Sequence, residues 1–345
     1  MPTDRTRSLR PLLVLCAASM ALLVGYITWR TTVRPGERAP VGEHATAPTS
    51  LAAIQAQPRV YFRSTKRDEF GRLVVATLAR PNDERVVSDL QCDRVAFGRG
   101  QGLCLVDTRA QLRQPGLVHV LGANLSIQRT LPILGVPSRA RVASDGRHGA
   151  TTVFVTGENY LGAGFSTRTH IYALPAGAAS PDLEQFATVR NGRPFRAADF
   201  NIWGVTFTHD SNVFLATLAT AGRIYLVEGD VSARSMRVVG ADVECPSLSP
   251  NGRLVAFKRR VPGGGGWRLH VLERATGRDW PLAGETRSID DQVEWLDDDR
   301  VLYGYASERG LPEDAVNVWV ISVREESTEA PRVFIRSALS PTVVR

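Results

Sequence analysis

The sequence predicts an all-β protein, a six-bladed β-propeller closed by its C-terminal strand and preceded by one N-terminal transmembrane helix. Two observations support this prediction: a unit of four short strands recurs along residues 59–345, and an uncharged apolar run lies at residues 11–29. The 345 residues are 43% hydrophobic and 22% charged, which is the composition of a globular protein. This composition excludes full disorder and a polytopic membrane protein.

The apolar run, PLLVLCAASMALLVGYITW, is close to the length that crosses a bilayer as a helix. Arginines lie on both sides of it, and Tyr26 and Trp29 lie near its end, where interfacial aromatic residues are expected. The run is longer than the apolar core of a signal peptide. We therefore expect residues 1–10 to form a cytoplasmic N-terminus and residues 11–29 to form an uncleaved signal anchor.

Residues 30–57 follow the anchor and are rich in Pro, Ala, Thr and Gly, a composition typical of flexible linkers. They predict a tether between the membrane and a propeller that spans residues 58–345. The short basic N-terminus favours a single-pass protein of the plasma membrane with its propeller on the extracytoplasmic side.

The repeat is clearest in residues 244–284, which contain the four short strands CPSLS, RLVAFKR, WRLHVLE and RDWPLA. Asn251-Gly252 predicts a hairpin turn between the first two strands, because both residues tolerate positive φ. Similar turns centre near residues 100, 145, 210, 251 and 298, so they are 41 to 65 residues apart. That spacing is typical of four-stranded propeller blades with inserted loops.

Five full blades are predicted between residues 92 and 337, with LEQFATV, residues 183–189, as the fourth strand of the third blade. Residues 59–90 contain only three strands. The sequence SALSP at 337–341 is similar to PSLSP at 246–250, which opens a blade. We therefore expect residues 338–344 to return as the innermost strand of blade one, which would close the ring and hide most strand edges.

Two of the four cysteines, Cys92 and Cys104, flank a predicted hairpin and would lie nearly opposite each other. They predict a disulfide if the domain lies outside the cytosol, and two buried thiols otherwise. Cys16 lies in the apolar run and Cys245 has no evident partner. No Cys/His spacing typical of a metal site is present, so no metal is expected from these residues.

The formal net charge is +7, and only Lys66 and Lys258 among the 42 basic residues are lysines. Such an excess of arginine is typical of a GC-rich bacterial genome. The positive charge is scattered among acids, whereas nucleic-acid binding needs a clustered basic face. We interpret the triplet Lys258-Arg259-Arg260 as a solvated strand end and expect no nucleic-acid partner.

SPNGRLVAF and the later ATGRDWPLAG, within residues 244–284, resemble the repeat of the TolB-like propeller family. In that family a Ser-Pro-Asp-Gly turn leads into an Ile-Ala-Phe strand. The anchored layout resembles that of membrane-tethered TolB-like proteins of actinobacteria. The TolB protein carries an α/β domain before its propeller, and residues 35–57 are too short for one. The resemblance implies a propeller and leaves the ligand open.

No catalytic constellation is evident, since the sequence contains no HExxH motif, phosphate loop or nucleophile elbow. His119, His170 and His270 occupy similar positions within strands, which is typical of a structural role. Polar residues near the starts of the predicted innermost strands would surround the channel mouth, and such a mouth is a common binding site. They are Arg94, Arg139, Arg141, Asn201, Trp203, Glu244, Asp290 and Asp291.

These charged residues either bind a ligand or pair with each other and cap the channel. A calcium ion held by Glu244, Asp290 and Asp291 is a further alternative, because its preferred ligands are oxygen atoms. In the loop at residues 158–169, Tyr160 and Phe165 are candidates for an exposed partner contact.

The function predicted from the sequence is a non-catalytic, membrane-tethered extracytoplasmic propeller that binds or assembles another protein of the bacterial envelope. No cofactor is expected, and the oligomeric state is open. The alternative is a metal-assisted hydrolase, lactonase-like or acting on glycans, with its site in the propeller channel.

Overall fold

The computed structural model describes residues 19–21, 50–108, 116–157, 164–306 and 316–345. The predicted anchor, apart from residues 19–21, and residues 30–49 of the predicted linker lie outside these ranges. The chain divides into two compact units, Met1–Pro48 and Thr49–Arg345. Among the described residues, no helix is both long and apolar enough to cross a membrane.

The second unit is a six-bladed propeller, as predicted, with each blade a mostly antiparallel sheet. A short helix, α1 (Leu51–Gln55), precedes the first strand, and Ser50 caps its N-terminus. The strands of blade 1 are β1 (Arg59–Ser64), β2 (Arg72–Thr77), β3 (Arg85–Gln91) and the last strand of the chain, β26 (Ala338–Val344).

Blades 2 and 3 follow in chain order. Their strands are β4 (Arg94–Phe97), β5 (Gln101–Val106), β6 (Gly116–Gly122) and β7 (Ile127–Ile133), then β8 (Val136–Val142), β9 (His148–Thr156), β10 (Ser166–Ala173) and β11 (Ala178–Ala179). A 3₁₀ turn, Leu183–Gln185, leads to blade 4. The strands of blade 4 are β12 (Ala187–Arg190), β13 (Arg193–Pro194), β14 (Asn201–Phe207), β15 (Val213–Thr220), β16 (Arg223–Asp230) and β17 (Ser235–Ala241).

Blades 5 and 6 complete the ring. Their strands are β18 (Glu244–Leu248), β19 (Leu254–Arg260), β20 (Trp267–Glu273) and β21 (Asp279–Pro281), then β22 (Glu294–Trp295), β23 (Arg300–Ala306), β24 (Val316–Ser322) and β25 (Arg332–Ile335). The innermost strands, which pack around the centre, are β26, β4, β8, β14, β18 and β22.

The ring closes as predicted, because β26 pairs with β1 as the innermost strand of blade 1. Val344 pairs with Arg59 and Ala338 with Ser64. Blade 1, where the first and last strands of the propeller meet, makes apolar contacts with the blades on both sides. Phe62 lies in a core cluster with Leu302 of blade 6, and the Tyr61 ring stacks on Phe97 of blade 2 at 3.9 Å between centroids.

The assignment of residues 183–189 to the third blade is wrong. β12 pairs in parallel with β17, so these residues extend blade 4 to six strands, and blade 3 ends with the two-residue β11. The reason is packing. Leu183 and Phe186 are buried in a core cluster shared by blades 3 and 4, and the Phe186 ring meets Phe214 of blade 4 edge to face at 6.3 Å between centroids.

Glu184, in the 3₁₀ turn, provides a pH test of this packing. Burial and the nearby Asp182 charge raise its pKa to about 7, although Arg168 opposes the shift. Because the folded pKa exceeds the unfolded value of about 4.3, the folded state loses stability as pH rises between these values. We expect Glu184→Gln to stabilise the protein by about 1–2 kcal/mol at pH 8, after allowance for solvent screening.

The advantage of Glu184→Gln should fall to about 0.2 kcal/mol at pH 4, where the carboxyl is protonated in the folded state and mostly protonated in the unfolded state. Urea unfolding at the two pH values measures it. Glu326→Gln removes an exposed carboxyl and is the matched control. An equal effect of Glu184→Gln on stability at both pH values would contradict the raised pKa of Glu184.

The predicted disulfide between Cys92 and Cys104 is confirmed, with its Cα atoms 5.3 Å apart. It joins the residue that follows β3 to the middle of β5, and both cysteines are buried. Its removal in the Cys92→Ala/Cys104→Ala variant should cost about 3 kcal/mol, since the 12-residue separation closes a short loop of the unfolded chain.

Urea unfolding with and without a reductant measures this cost. The reduced protein should approach the stability of the double variant, and the variant itself should not respond to reductant. A cost below about 0.5 kcal/mol would show that the bridge does not constrain the chain.

Candidate functional site

The two ends of the central channel differ, and each is built from one end of the innermost strands. We call the end formed by the starts of these strands the narrow face, and the end formed by their last residues the funnel face. The sequence prediction concerned the narrow face. The larger cavity lies at the funnel face.

At the narrow face, Lys258 is the centre of a buried ionic network. Its side chain is fully buried, its ammonium contacts Asp290 and lies 3.7 Å from Glu244, and it lies 4.0 Å from the centroid of the Trp267 ring. Trp267 donates its indole N–H to the same Glu244 carboxylate at 3.0 Å. The interpretation of Lys258-Arg259-Arg260 as a solvated strand end is therefore wrong for Lys258, which points into the channel wall.

Two arginines complete this network. Arg139 of blade 3 approaches Asp290 at 3.3 Å, and Arg260 approaches Glu244 at 3.2 Å. Burial alone would raise the pKa of Asp290, but the charges of Lys258 and Arg139 outweigh it and hold that pKa below its usual range. The three predicted residues Arg139, Glu244 and Asp290 are thus brought together as ion-pair partners.

Three other predicted mouth residues make hydrogen bonds to the main chain. Asp291 accepts the Gly304 N–H at 2.8 Å, Arg94 donates to the Ser138 carbonyl at 2.6 Å, and Asn201 accepts the Thr167 N–H at 2.9 Å. Glu244, Asp290 and Asp291 therefore do not converge as calcium ligands, because lysine and arginine nitrogens occupy the first two. In the described part of the chain, no group of three His, Cys, Asp or Glu side chains is placed to hold a metal ion.

Trp203 and Phe165 form an aromatic contact between blades 3 and 4. Trp203 is fully buried, and the Phe165 ring meets it edge to face at 5.4 Å. The expectation of an exposed Phe165 is wrong, since the side chain is half-buried in this cluster. Tyr160 lies outside the described residues.

The funnel face holds a cavity of about 560 Å³ to which all six blades contribute. This volume is within the range of pockets that hold ligands. Its lining includes charged or titratable side chains of five blades, which are Arg59, Arg99, Arg141, His209, Glu294 and Arg345. Among these, four arginines face one glutamate, so the side chains carry an excess of positive charge.

Glu294 is already satisfied within the cavity wall, because Arg141 pairs with it and the Val343 N–H donates to it at 3.0 Å. Arg59 and Arg345 donate to main-chain carbonyls, at 2.9 Å to Gln55 and 2.5 Å to Leu296. These bonds orient the two guanidinium groups and leave their charge uncompensated.

Arg99 and His209 lie at the rim and are exposed. Among the described residues, neither side chain has an ion-pair or hydrogen-bond partner. Sequence reasoning did not find this cavity, although a signal was present. The turns near residues 100, 145, 210 and 251 mark chain segments that lie at its rim.

No protein-family model matches the sequence, and no curated protein is similar to it. Solved structures are similar in fold. TolB from Acinetobacter baumannii superposes with a TM-score of 0.56 at 13% identity, covering 84% of this chain and 67% of that one. The fold is that of the TolB-like six-bladed propellers.

Two further structures extend the comparison. A chain of a nidogen–laminin complex gives a TM-score of 0.52 at 13% identity and covers 84% of this chain and 98% of that one. A putative TolB from Agrobacterium tumefaciens gives 0.47 at 10% identity, covering 82% and 91%. At such identities the similarity establishes the fold alone, so the function of this propeller must be argued from its own residues.

Proposed function

We propose that this protein is a non-catalytic propeller, tethered to the plasma membrane on the extracytoplasmic side, whose funnel binds an acidic segment of another envelope protein. The funnel is the observation that supports the proposal most strongly. It is a concave site on a rigid ring, and its excess of arginine attracts carboxylates.

Other observations agree with this proposal. The disulfide fits an oxidising compartment outside the cytosol. One similar structure comes from a nidogen–laminin complex, an assembly of two proteins. The apolar run at residues 11–29 supports the tether, and the arginine excess is compatible with an actinobacterial source.

The alternative of a metal-assisted hydrolase has less support. Its acids would be Glu244, Asp290 and Asp291, and the first two already neutralise Lys258 and the arginines beside it. A carboxylate bound in this way is a poor metal ligand or general base, since either role requires it to give up a buried cation.

Site-specific crosslinking in the native membrane tests the binding function. A photo-reactive amino acid in place of His209 lies at the funnel rim, and one in place of Gln128 lies on the exposed outer strand of blade 2. We expect a defined envelope protein to crosslink to position 209 and not to position 128. Equal products from both positions, or none from 209, would refute binding in the funnel.

Charge reversal at the rim tests the acidic character of the bound segment. The full-length protein should bind a capped hexaglutamate peptide more tightly than hexalysine, and Arg99→Glu should weaken that binding about tenfold. This is the effect of roughly 1.4 kcal/mol for a partly screened charge. Arg129→Glu, an exposed arginine of the same blade outside the funnel, is the matched control. Unchanged binding by Arg99→Glu would show that the funnel does not select for acids.

A further inference from the structure

The outer edge of blade 4 ends in a short hairpin, β12–β13, that carries arginines. Its turn residues Asn191 and Gly192 have φ values of 52° and 73°, as in a tight type I′ turn. Arg190 and Arg193 flank the turn and pair directly across it. We call these two residues, together with Arg196 and Arg223, the arginine hairpin.

The electrostatics of this hairpin are unfavourable in the isolated protein. Arg190 and Arg193 are like charges opposite each other on two strands, an arrangement that destabilises a sheet. In the described ranges, no acidic side chain lies within ion-pair distance of any member of the arginine hairpin. Several other surface arginines do have an acidic partner, as Arg237 has Glu228 and Arg259 has Asp279. An anion bound at the hairpin would relieve the repulsion.

The hairpin is also held in place. The Arg190 guanidinium lies 4.8 Å from the centroid of the Tyr225 ring and 5.6 Å from that of Phe195. These two rings meet edge to face, and Phe195 also contacts Phe200 at 5.2 Å. Arg223 is two residues from Tyr225 along β16, or roughly 7 Å. The Arg190 guanidinium is therefore held by aromatic packing, and the strand pairing places Arg193 directly opposite it.

The arginine hairpin lies at the narrow face. Arg223 follows the turn after Thr220, and the neighbouring Ala219 pairs with Asn201, the first residue of the innermost strand of blade 4. The chain enters the propeller at the other face, since Arg59 pairs with Val344 and lines the funnel. The arginine hairpin and the funnel therefore face opposite ways.

We propose that the arginine hairpin binds the phosphate headgroups of anionic lipids in the membrane that anchors the chain. An exposed hairpin tip with two opposed guanidinium groups, and with Arg196 and Arg223 as further exposed arginines, suits a broad anionic surface better than a small free anion. The contact turns the funnel away from the lipid, toward a partner. This inference rests on the membrane tether of the proposed function.

The length of the linker allows this arrangement. Residues 30–49 can span at most about 70 Å when extended, whereas an eight-residue strand spans roughly 27 Å. A chain that leaves the funnel face can therefore pass around the ring to a membrane at the narrow face.

The test uses the full-length protein in nanodiscs of phosphatidylcholine, with or without 30% phosphatidylglycerol. A nitroxide label at Ala198, an exposed residue beyond the hairpin, reports proximity to a nickel-chelating lipid headgroup, and a label at His209 reports the funnel face. Cys16→Ser leaves the introduced cysteine as the reactive thiol, because Cys245 is buried and the other two are bonded. We expect phosphatidylglycerol to increase the relaxation of the Ala198 label at least threefold and not that of the His209 label.

The variants Arg190→Gln/Arg193→Gln and Arg193→Gln/Arg223→Gln should each lose most of this increase. The second variant retains Arg190 and its aromatic packing, so a loss of lipid binding in it reflects the missing charges and not a misfolded hairpin. Arg253→Gln, an exposed arginine near the funnel face, should have no effect.

The proposal would be overturned if the relaxation of the Ala198 label did not change with phosphatidylglycerol or with the arginine substitutions. A larger increase at the His209 label than at the Ala198 label would also overturn it. If carbonate releases the protein from the nanodiscs, the membrane anchor predicted at residues 11–29 is absent, and the proposed function fails together with the lipid contact. Crosslinking of the hairpin to an acidic protein, with no response to lipid, would assign it to a protein partner and refute the lipid contact.

Discussion

Deletion of residues 338–345 is expected to abolish cooperative folding of the propeller. β26 bonds to blade 1 through β1, and Ser340 and Thr342 bond to the main chain of β4 in blade 2. Its loss exposes the edge of β1 and removes Ala338 from the core that joins blades 1 and 6. Thermal unfolding followed by circular dichroism should lose its single sharp transition, and the truncated protein should be cleaved rapidly by proteases.

A rearranged chain provides the control for this deletion. Because Val344 pairs with Arg59, a copy of residues 338–345 placed before residue 59 through a short turn can form the same hairpin. We expect this rearranged protein to regain a cooperative transition. A sharp transition in the simple deletion would show that the ring is stable with an open joint.

Replacement of Lys258 by methionine is expected to destabilise the protein by about 3–5 kcal/mol. The change leaves the buried Glu244 carboxylate and the partly exposed Asp290 carboxylate without the cation that lies between them. An uncompensated buried charge costs several kcal/mol, much more than an exposed ion pair contributes. Urea unfolding at pH 7 measures the loss.

Two controls separate charge from packing in the Lys258→Met variant. Neutralising the acids as well, with Glu244→Gln and Asp290→Asn, should recover much of the lost stability, because neutral side chains need no cation. Lys66→Met, at an exposed pair with Asp68 and Glu69, should cost less than about 1 kcal/mol. A cost for Lys258→Met no larger than that for Lys66→Met would refute the buried network.

The strand pattern was sufficient to predict the ring and its closure, because each blade repeats alternating apolar residues and a turn. The similarity of residues 337–341 to residues 246–250 marked both as the start of an innermost strand. The pattern could not show which sheet accepts a strand. Residues 183–189 look the same whether they end blade 3 or extend blade 4. The pairing of β12 with β17 and the contact of Phe186 with Phe214 decide between the two.

The site was less predictable, because its chemistry depends on contacts across the ring. Asp290 and Arg139 are 151 positions apart, and no local pattern predicts that they pair. Lys258 sits in an ordinary basic triplet, and its burial follows from the position of its strand beside the channel. Arg99 and His209 fall in turns, where polar residues are common on any surface.

The closure of the ring also determines when folding can finish. Blades 2 to 6 are each formed by consecutive strands, so they can assemble as soon as their own segments are available, and Cys92 and Cys104 can meet early. Blade 1 must wait for a strand more than 270 residues downstream of β1, a contact of very high sequence separation. Until that strand arrives, β1 presents an unpaired edge to any neighbouring chain. The last step of folding is therefore also the step most exposed to aggregation, and a crowded or slowly synthesised chain is most vulnerable there.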